Sequence, residues 1–280
     1  MIQEEICELI DLALAEDIGD GDHSSLACIP PGSMGKARLV IKEPGIIAGI
    51  EIAGYVFSRI DKKIELSECI NDGSRIKPGD TGFYVEGPVH ALLQSERLVL
   101  NIIQRMSGIA TTTGKYVDAV SDYKAKILDT RKTTPGLRAI EKEAVRIGGG
   151  VNHRMGLFDM IILKDNHIDY AGGIKNAIIK ANKYLERTRK NLPVVIEARE
   201  MHELRQILEQ GMVNRIMLDN FSIYETEKAV ELIDGRYEIE SSGGITLETV
   251  RSYARCGVDY ISVGALTHHI KSLDISLKAI

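Results

Sequence analysis

At 280 residues, with 44% hydrophobic and 27% charged side chains, the chain has the make-up of a globular protein and length enough for one large or two ordinary domains. A net charge of −5 excludes a strong overall positive field, so nucleic-acid binding is not expected and any basic site must be local. Cys7, Cys28, Cys69 and Cys256 lie far apart with no CxxC pair, which leaves neither a zinc knuckle nor a disulfide framework and fits a reducing, cytoplasmic home; no apolar run approaches the ~20 residues of a membrane span, so no membrane partner is expected.

The opening stretch MIQEEICELIDLALAEDIG carries no basic leader or small-residue cleavage site and is read as mature protein. Ile6, Leu9, Ile10, Ala13 and Leu14 recur at helical spacing and predict an amphipathic helix over 2–16, stopped by the DIGDGD cluster at 17–22. That cluster lacks the later Glu of an EF-hand loop and is read as a turn. From residue 35 the period shortens. Strands are predicted over 36–42, 45–49, 64–68 and 81–85, with a helix over 50–61 and a turn at Lys77-Pro78-Gly79-Asp80. A long helix follows over 90–112, its apolar face made by Leu92, Leu93, Leu98, Val99, Ile102 and Ile103. Arg105, taken by itself, reads as a helix-end cation beside the last carbonyls. Together these elements predict an α+β domain over residues 1–115.

After Lys115 the rhythm changes. Short apolar runs each stop on a polar residue: 126–129 (KILD), 160–164 (MIILK), 194–197 (VVIE), 215–219 (RIMLD), 237–241 (YEIES) and 260–263 (YISV). Amphipathic segments such as 201–210 and 222–233 lie between them, and the stops recur at about 21 to 35 residues, the interval of β-α units, so parallel strands with crossover helices are expected. Asp129, Lys164, Glu197, Asp219, Ser241 and Ser262 then fall at strand C-terminal ends. That is the rim where barrel enzymes gather groups from many strands, whereas an open doubly wound sheet would concentrate them at one crevice. About 165 residues remain, short of the ~200 or more that eight units need, so the fold class expected is α/β with a truncated barrel.

Between residues 129 and 167 the chain places Arg131, Lys132, His153, Arg154, Lys164 and His167 around Pro-Gly and Gly-rich turns. That is too many cations for a core and too few charges of one sign for a tail. Fixed guanidinium and ammonium groups on element ends can hold carboxylates or phosphates, Arg in two-pronged fashion, so a convergent anion site is expected; solvated helix ends are the plainer account of any one of them. Ser241-Ser242-Gly243-Gly244-Ile245-Thr246 follows a strand and is expected to open a helix, with backbone N–H groups free to close on an anion. Val263-Gly264-Ala265-Leu266-Thr267-His268 repeats the arrangement, and tandem late loops are where barrels commonly seat a phosphate. Glu197 and Asp219 end neighbouring strands and suit sugar hydroxyls, a magnesium ion held through water, or acid-base work, the plainer account being a carboxylate paired to a nearby Lys or Arg. His153 and His167 lack metal-ligand spacing to a third residue, and neither a GxSxG elbow nor a Ser-His-Asp pattern is present, so chemistry without zinc or a protein nucleophile is expected.

The runs DTRKTTPGLR, GGGVNHRMGL and KDNHI, with SGGI and SVGALTH downstream and the ERLVLNIIQRMSGIAT helix upstream, closely resemble quinolinate phosphoribosyltransferase, the carboxylating nicotinate-nucleotide pyrophosphorylase, over nearly the whole chain. The resemblance implies an N-terminal α/β sandwich domain (1–115), a truncated barrel of about seven strands (116–269) with about 270–280 packing back on the first domain, and a homodimer, assemblies up to a hexamer being compatible with it. It implies that Arg105 enters the neighbouring subunit's site and joins Arg131, His153, Arg154 and Lys164 around the two carboxylates of quinolinate. Lys132 and Lys164 are expected near the pyrophosphate of phosphoribosyl pyrophosphate, Glu197 and Asp219 near its ribose hydroxyls and Mg2+, directly or through water. These four form the expected catalytic group. The 5′-phosphate is expected on Ser242, Gly243, Gly244, Gly264 and His268. The implied reaction yields nicotinate mononucleotide, pyrophosphate and carbon dioxide for NAD synthesis.

Two departures stand out: Ser241 replaces a more familiar Ala, and Glu197-Ala198-Arg199 replaces the commoner Glu-Val-Glu, so the pattern gives Arg199 no role. Competing readings are a paralogue of molybdenum transport loci, which departs around the carboxylate-binding cluster, and a noncatalytic phosphoribosyl pyrophosphate sensor. The intact Arg131-Lys132, His153-Arg154 and Lys164-Asp165-Asn166-His167 favour the quinolinate enzyme over the paralogue.

Overall fold

The computed structural model describes residues 4–280, so residues 2 and 3 of the first predicted helix lie outside the described part. In chain order the elements are α1 (Glu4–Ile18), α2 (His23–Cys28), β1 (Met34–Ile41), β2 (Gly45–Ile46), α3 (Ile50–Ile60), β3 (Glu65–Ser67), β4 (Arg75–Ile76), β5 (Thr81–Pro88), α4 (Val89–Ala119), β6 (Lys126–Leu128), α5 (Arg138–Ile147) and β7 (Ile161–Leu163). They continue as α6 (Asp165–Ala171), α7 (Ile174–Thr188), β8 (Val194–Ala198), α8 (Met201–Gln210), β9 (Arg215–Asp219), α9 (Ile223–Ile233), β10 (Glu238–Ser242), α10 (Val250–Arg255), β11 (Tyr260–Ser262), α11 (Ala265–His268) and β12 (Ile275–Ala279). Two compact units result: one runs up to Gly114 and takes in Thr133–Gly149 and Leu266–Ile280, the other comprises Lys115–Lys132 and Gly150–Ala265.

The first unit is built on an antiparallel sheet of order β12-β1-β5-β3. Alternation along β1 and β5 buries Leu39 and Ile41 on one strand and Phe83 and Val85 on the other, and Phe57 of α3 meets Phe83 edge-on at 5.9 Å. The DIGDGD cluster is shorter as a turn than expected. α1 runs into it, and Asp22 accepts the Ser25 N–H at 3.1 Å, so its carboxylate caps α2, a helix too short to leave a periodic signal. Helix α4 extends beyond both predicted ends. Its mid-helix hydroxyls accept backbone donors, Ser107 from Ala48 at 3.0 Å and Thr111 from Ile46 at 2.8 Å, which explains polar residues on a face that packs. Gly108 is required there: a Cβ would stand 2.3 Å from the Lys271 carbonyl oxygen.

The second unit is a six-stranded parallel sheet of order β6-β11-β10-β9-β8-β7 with helices in the crossovers, a truncated α/β barrel. Val151 donates to Ile127 at 2.8 Å and accepts from Asp129 at 3.2 Å, so a single residue extends the sheet beside β6. The seven strands implied by the resemblance are therefore six plus this one-residue bridge, too brief to leave an apolar run. Ile162, Val195 and Met217 form a buried cluster, with Met160 packed against it. Parallel register sets Glu197 beside Met217, Met217 beside Glu240, and Asp219 beside Ser242, which brings the polar strand ends to one rim. Among the described residues no helix is long and apolar enough to cross a membrane.

Candidate active site

The cationic stretch is organised by a buried acid. Asp129, just past β6, is fully buried and accepts the His153 backbone N–H at 2.8 Å, fixing the segment after Val151 to the rim. The Arg154 N–H donates to His153 Nδ1 at 2.7 Å, and Arg154 Nη1 donates to the Met160 carbonyl at 3.0 Å. Asp159 closes the loop by accepting from the N–H groups of Met155 at 2.7 Å and Gly156 at 3.0 Å. Arg154 is thus a buried guanidinium whose Nε makes no hydrogen bond. Burial, and then the neighbouring charge of Arg131, hold its pKa below the ordinary guanidinium value, while Asp159 and Glu197 act in the opposite sense. Two guanidiniums that repel in this way, only partly offset by Asp159 and Glu197, are arranged for a further anion.

Lys164 follows β7, and its backbone N–H donates to His167 Nδ1 at 3.2 Å, so His167 turns back to cap α6. The Lys164 ammonium pairs with Glu197, whose carboxylate is buried within β8. Asp219, the last residue of β9, accepts from the Asn220 side chain at 2.8 Å. Arg131 and Lys132 are exposed, and the Lys132 N–H donates to Thr130 Oγ1 at 3.1 Å. Arg199 pairs with Glu203 at 2.5 Å and Asp169 at 3.3 Å. The Glu203 hydrogen bond leads in raising its pKa, and the unfamiliar Arg serves an ion-pair network joining α6 to α8.

Ser242 ends β10, and Gly243 and Gly244 follow with φ of +95° and +59°. A Cβ on Gly243 would lie 2.2 Å from Asn220 Oδ1 and 2.8 Å from Asn220 N, so only glycine fits. The helix expected directly behind these glycines is displaced: a turn at Thr246–Thr249 intervenes and α10 begins only at Val250 and is six residues long. Any anion there is left to the backbone N–H groups of the turn rather than to a helix dipole, because Thr249 closes on Thr246 before the helix can start. Gly264 does lead straight into α11, which is four residues long and ends at the exposed His268, packed on His269 at 4.4 Å.

Arg105 belongs to the first unit. It is not at a helix end, since α4 runs on to Ala119. Its Nε and Nη2 donate to Glu141 Oε1 at 3.0 and 2.5 Å, Nη2 also donates to Thr134 Oγ1 at 2.6 Å, and the fully buried Glu141 accepts the Thr134 N–H at 3.1 Å through its other oxygen.

Two sequence profiles agree with this architecture: "Quinolinate phosphoribosyl transferase, N-terminal domain" matches residues 22–107 and "Quinolinate phosphoribosyl transferase, C-terminal domain" matches residues 109–278. The chain belongs to the quinolinate phosphoribosyltransferase family. It is 46% identical over 285 aligned positions to quinolinate phosphoribosyltransferase [decarboxylating] 1b of Nicotiana tabacum, covering 96% of this chain and 81% of that one. It is 41% identical to the nicotinate-nucleotide pyrophosphorylase [carboxylating] of Mycobacterium leprae, covering 96% and 95%. The solved structure of the nicotinate-nucleotide pyrophosphorylase from Francisella tularensis superposes with a TM-score of 0.93 at 39% identity, covering 100% and 98% of the two chains.

The family pattern did not single out two buried carboxylates, Glu141 and Glu240, or the half-buried Arg215. Glu240 accepts from Ser262 through one oxygen; its other oxygen lies 3.1 Å from Arg215 Nη1 and 3.3 Å from His153 Nε2. Burial opposes its charge, yet His153, Ser262 and Arg215 together hold its pKa below the ordinary carboxylate value. A signal existed. Glu240 stands two residues before Ser242 and Arg215 four before Asp219, so each shares the face of a functional strand end by the two-residue period.

Proposed function

We infer that this protein transfers the phosphoribosyl group of phosphoribosyl pyrophosphate to quinolinate with decarboxylation, giving nicotinate mononucleotide, pyrophosphate and carbon dioxide in NAD synthesis. The observation that carries this reading is the buried Arg154 guanidinium beside the charge of Arg131, in the same unit as the Gly243-Gly244 turn, in a chain of this family. A dianionic pyridine supplies the missing counter-charge, and an activated sugar phosphate fits the acid rim and the turn.

In this reading the pyridine nitrogen forms a bond to the anomeric carbon while the bond from that carbon to the pyrophosphate oxygen breaks. The ring is then cationic. The bond between C2 and its carboxylate breaks, carbon dioxide departs, the electron pair stays on C2 beside the positive nitrogen, and a proton takes its place. Arg131, Arg154 and Lys164, with His153 beneath them, hold the carboxylates; Lys132 and Lys164 face the pyrophosphate; Glu197 and Asp219 take the ribose hydroxyls. Ser242, Gly243, Gly244, Gly264 and His268 take the 5′-phosphate. Positioning and fixed charge supply most of the acceleration. The pairing of Lys164 with Glu197 keeps both groups in place until substrate competes for the ammonium.

Among the described residues no group of three or more His, Cys, Asp or Glu is arranged to hold a metal ion. Glu197 and Asp219, on the adjacent strands β8 and β9, offer the one or two carboxylates that magnesium uses alongside substrate phosphates, so the donor set suits Mg2+ arriving with phosphoribosyl pyrophosphate. When bound, the ion neutralises charge on the leaving pyrophosphate. The free cysteines support a reducing, cytoplasmic location. A homodimer with Arg105 acting in the partner's site completes the reading, and a higher assembly such as a hexamer is compatible with it.

Purified protein given magnesium, phosphoribosyl pyrophosphate and quinolinate labelled in its 2-carboxylate should release labelled carbon dioxide and form nicotinate mononucleotide. No release, or equal product from nicotinate, would remove the assignment. In Gly243→Ala, positive-φ strain of about 1–3 kcal/mol adds to the overlap with Asn220, so the KM for phosphoribosyl pyrophosphate should rise at least about tenfold while quinolinate affinity in a direct binding assay changes little. An unchanged KM would place the phosphate elsewhere.

A further inference from the structure

We propose that Glu240 is a positioning residue for the quinolinate half of the site, acting through His153 to orient Arg154. This rests on the functional reading above. Both ring nitrogens of His153 are engaged inside the protein. Nδ1 accepts the Arg154 backbone N–H at 2.7 Å, which puts the ring hydrogen on Nε2, and Nε2 faces Glu240 Oε2 at 3.3 Å. The ring is 6% exposed, so it offers a ligand little surface, and its Nε2 is turned toward a carboxylate of the protein. Its effect on substrate therefore passes through its neighbour Arg154, whose backbone it holds at one end while the Met160 carbonyl holds the guanidinium at the other.

Glu240 is itself immobilised. Ser262 from β11 donates to one oxygen, Arg215 from β9 approaches the other, and Arg215 in turn lies over the Tyr260 ring at 3.8 Å from its centroid and 3.0 Å from Glu238. Three neighbouring strands thus fix one carboxylate, and that carboxylate fixes one imidazole. Glu240 also stands two residues before Ser242 on β10, so the strand that carries the phosphate turn carries the support for the carboxylate-binding Arg. Asp129 secures the same segment from the opposite side through the His153 N–H. The arrangement is that of an outer carboxylate setting the tautomer and direction of a histidine, here with an Arg backbone where other proteins place a metal.

The test is Glu240→Gln, which keeps shape and removes the charge that selects the Nε2–H form. Steady-state kinetics with both substrates should show the quinolinate KM raised about tenfold or more and the phosphoribosyl pyrophosphate KM within about twofold. On a His153→Ala background the same substitution should add less than about twofold, because the path through the ring is already cut. Ser262→Ala, which loosens the carboxylate without uncharging it, should shift the quinolinate KM in the same direction by a smaller factor, and it serves as the readout if Glu240→Gln fails to fold. Parallel changes in both KM values, effects that multiply on the His153→Ala background, or no change in either Glu240→Gln or Ser262→Ala would overturn the proposal. Wild-type carbon dioxide release, measured alongside, separates failure of this inference from failure of the functional assignment.

Discussion

Arg154→Ala is expected to lower kcat/KM for quinolinate by about a thousandfold while leaving thermal stability nearly unchanged. The activity loss follows from deleting a desolvated guanidinium that meets a carboxylate in the complex, a contact whose removal costs about 2–5 kcal/mol. The stability expectation follows from the free protein. There Arg154 is buried, its Nε has no hydrogen bond, and Arg131 repels it, so the folded state carries a cost that alanine removes; the loss of one bond to the Met160 carbonyl and of the attraction to Asp159 and Glu197 offsets that gain. Activity and stability therefore part company, which a residue serving the fold alone would not show. Kinetics and a melting curve on the same preparation decide it: a loss of activity under about tenfold, or a melting temperature lowered by more than about 5 °C, would contradict an anion-binding role.

Arg105→Ala and Lys132→Ala, each inactive alone, are expected to recover about a quarter of wild-type activity when mixed and allowed to exchange subunits. In a two-fold symmetric dimer with Arg105 acting in trans, a heterodimer holds one site with both residues intact and one with neither, and half of a random mixture is heterodimer. Within its own unit the Arg105 guanidinium is held by Glu141 at 2.5 Å and Thr134 at 2.6 Å, so the substitution removes a group whose direction is set by the fold. Lys132 belongs to the second unit. No recovery after exchange has been verified by mass spectrometry of the mixed dimers would mean that each site is made by one chain.

The parts of the fold that could be read in advance are those whose packing repeats with a clean period. α8 and β9 fall on the expected residues because Leu204 and Ile207 mark one helical face and Ile216, Met217 and Leu218 an uninterrupted buried run. The last turns of α4, beyond Thr112, were not legible, since a run of three threonines discourages continuing a helix until one sees Thr113 fully buried. α5 conceals itself differently: Glu141 and Lys142 look solvated in sequence and are both buried, because the partners that neutralise Glu141 come from distant positions. The candidate site divides along the same line. Cations clustered between residues 129 and 167 advertise themselves by charge and spacing, whereas Glu240 and Arg215 matter only through contacts that strand register creates. His153 shows the limit most plainly. Its presence beside Arg154 was legible, but that its ring turns away toward an acid could be learned only from coordinates.

β12 pairs with β1 along residues 275–279 and 37–41 and forms one edge of the first unit's sheet. During synthesis β1 leaves the ribosome long before its partner exists, and every barrel strand is made in the interval. The nascent chain carries an open, apolar strand edge for most of translation, a template that another chain's terminal strand matches as well as its own. Exchange of that last strand between neighbouring polypeptides is the assembly error this topology invites, and close spacing of ribosomes on one message would favour it.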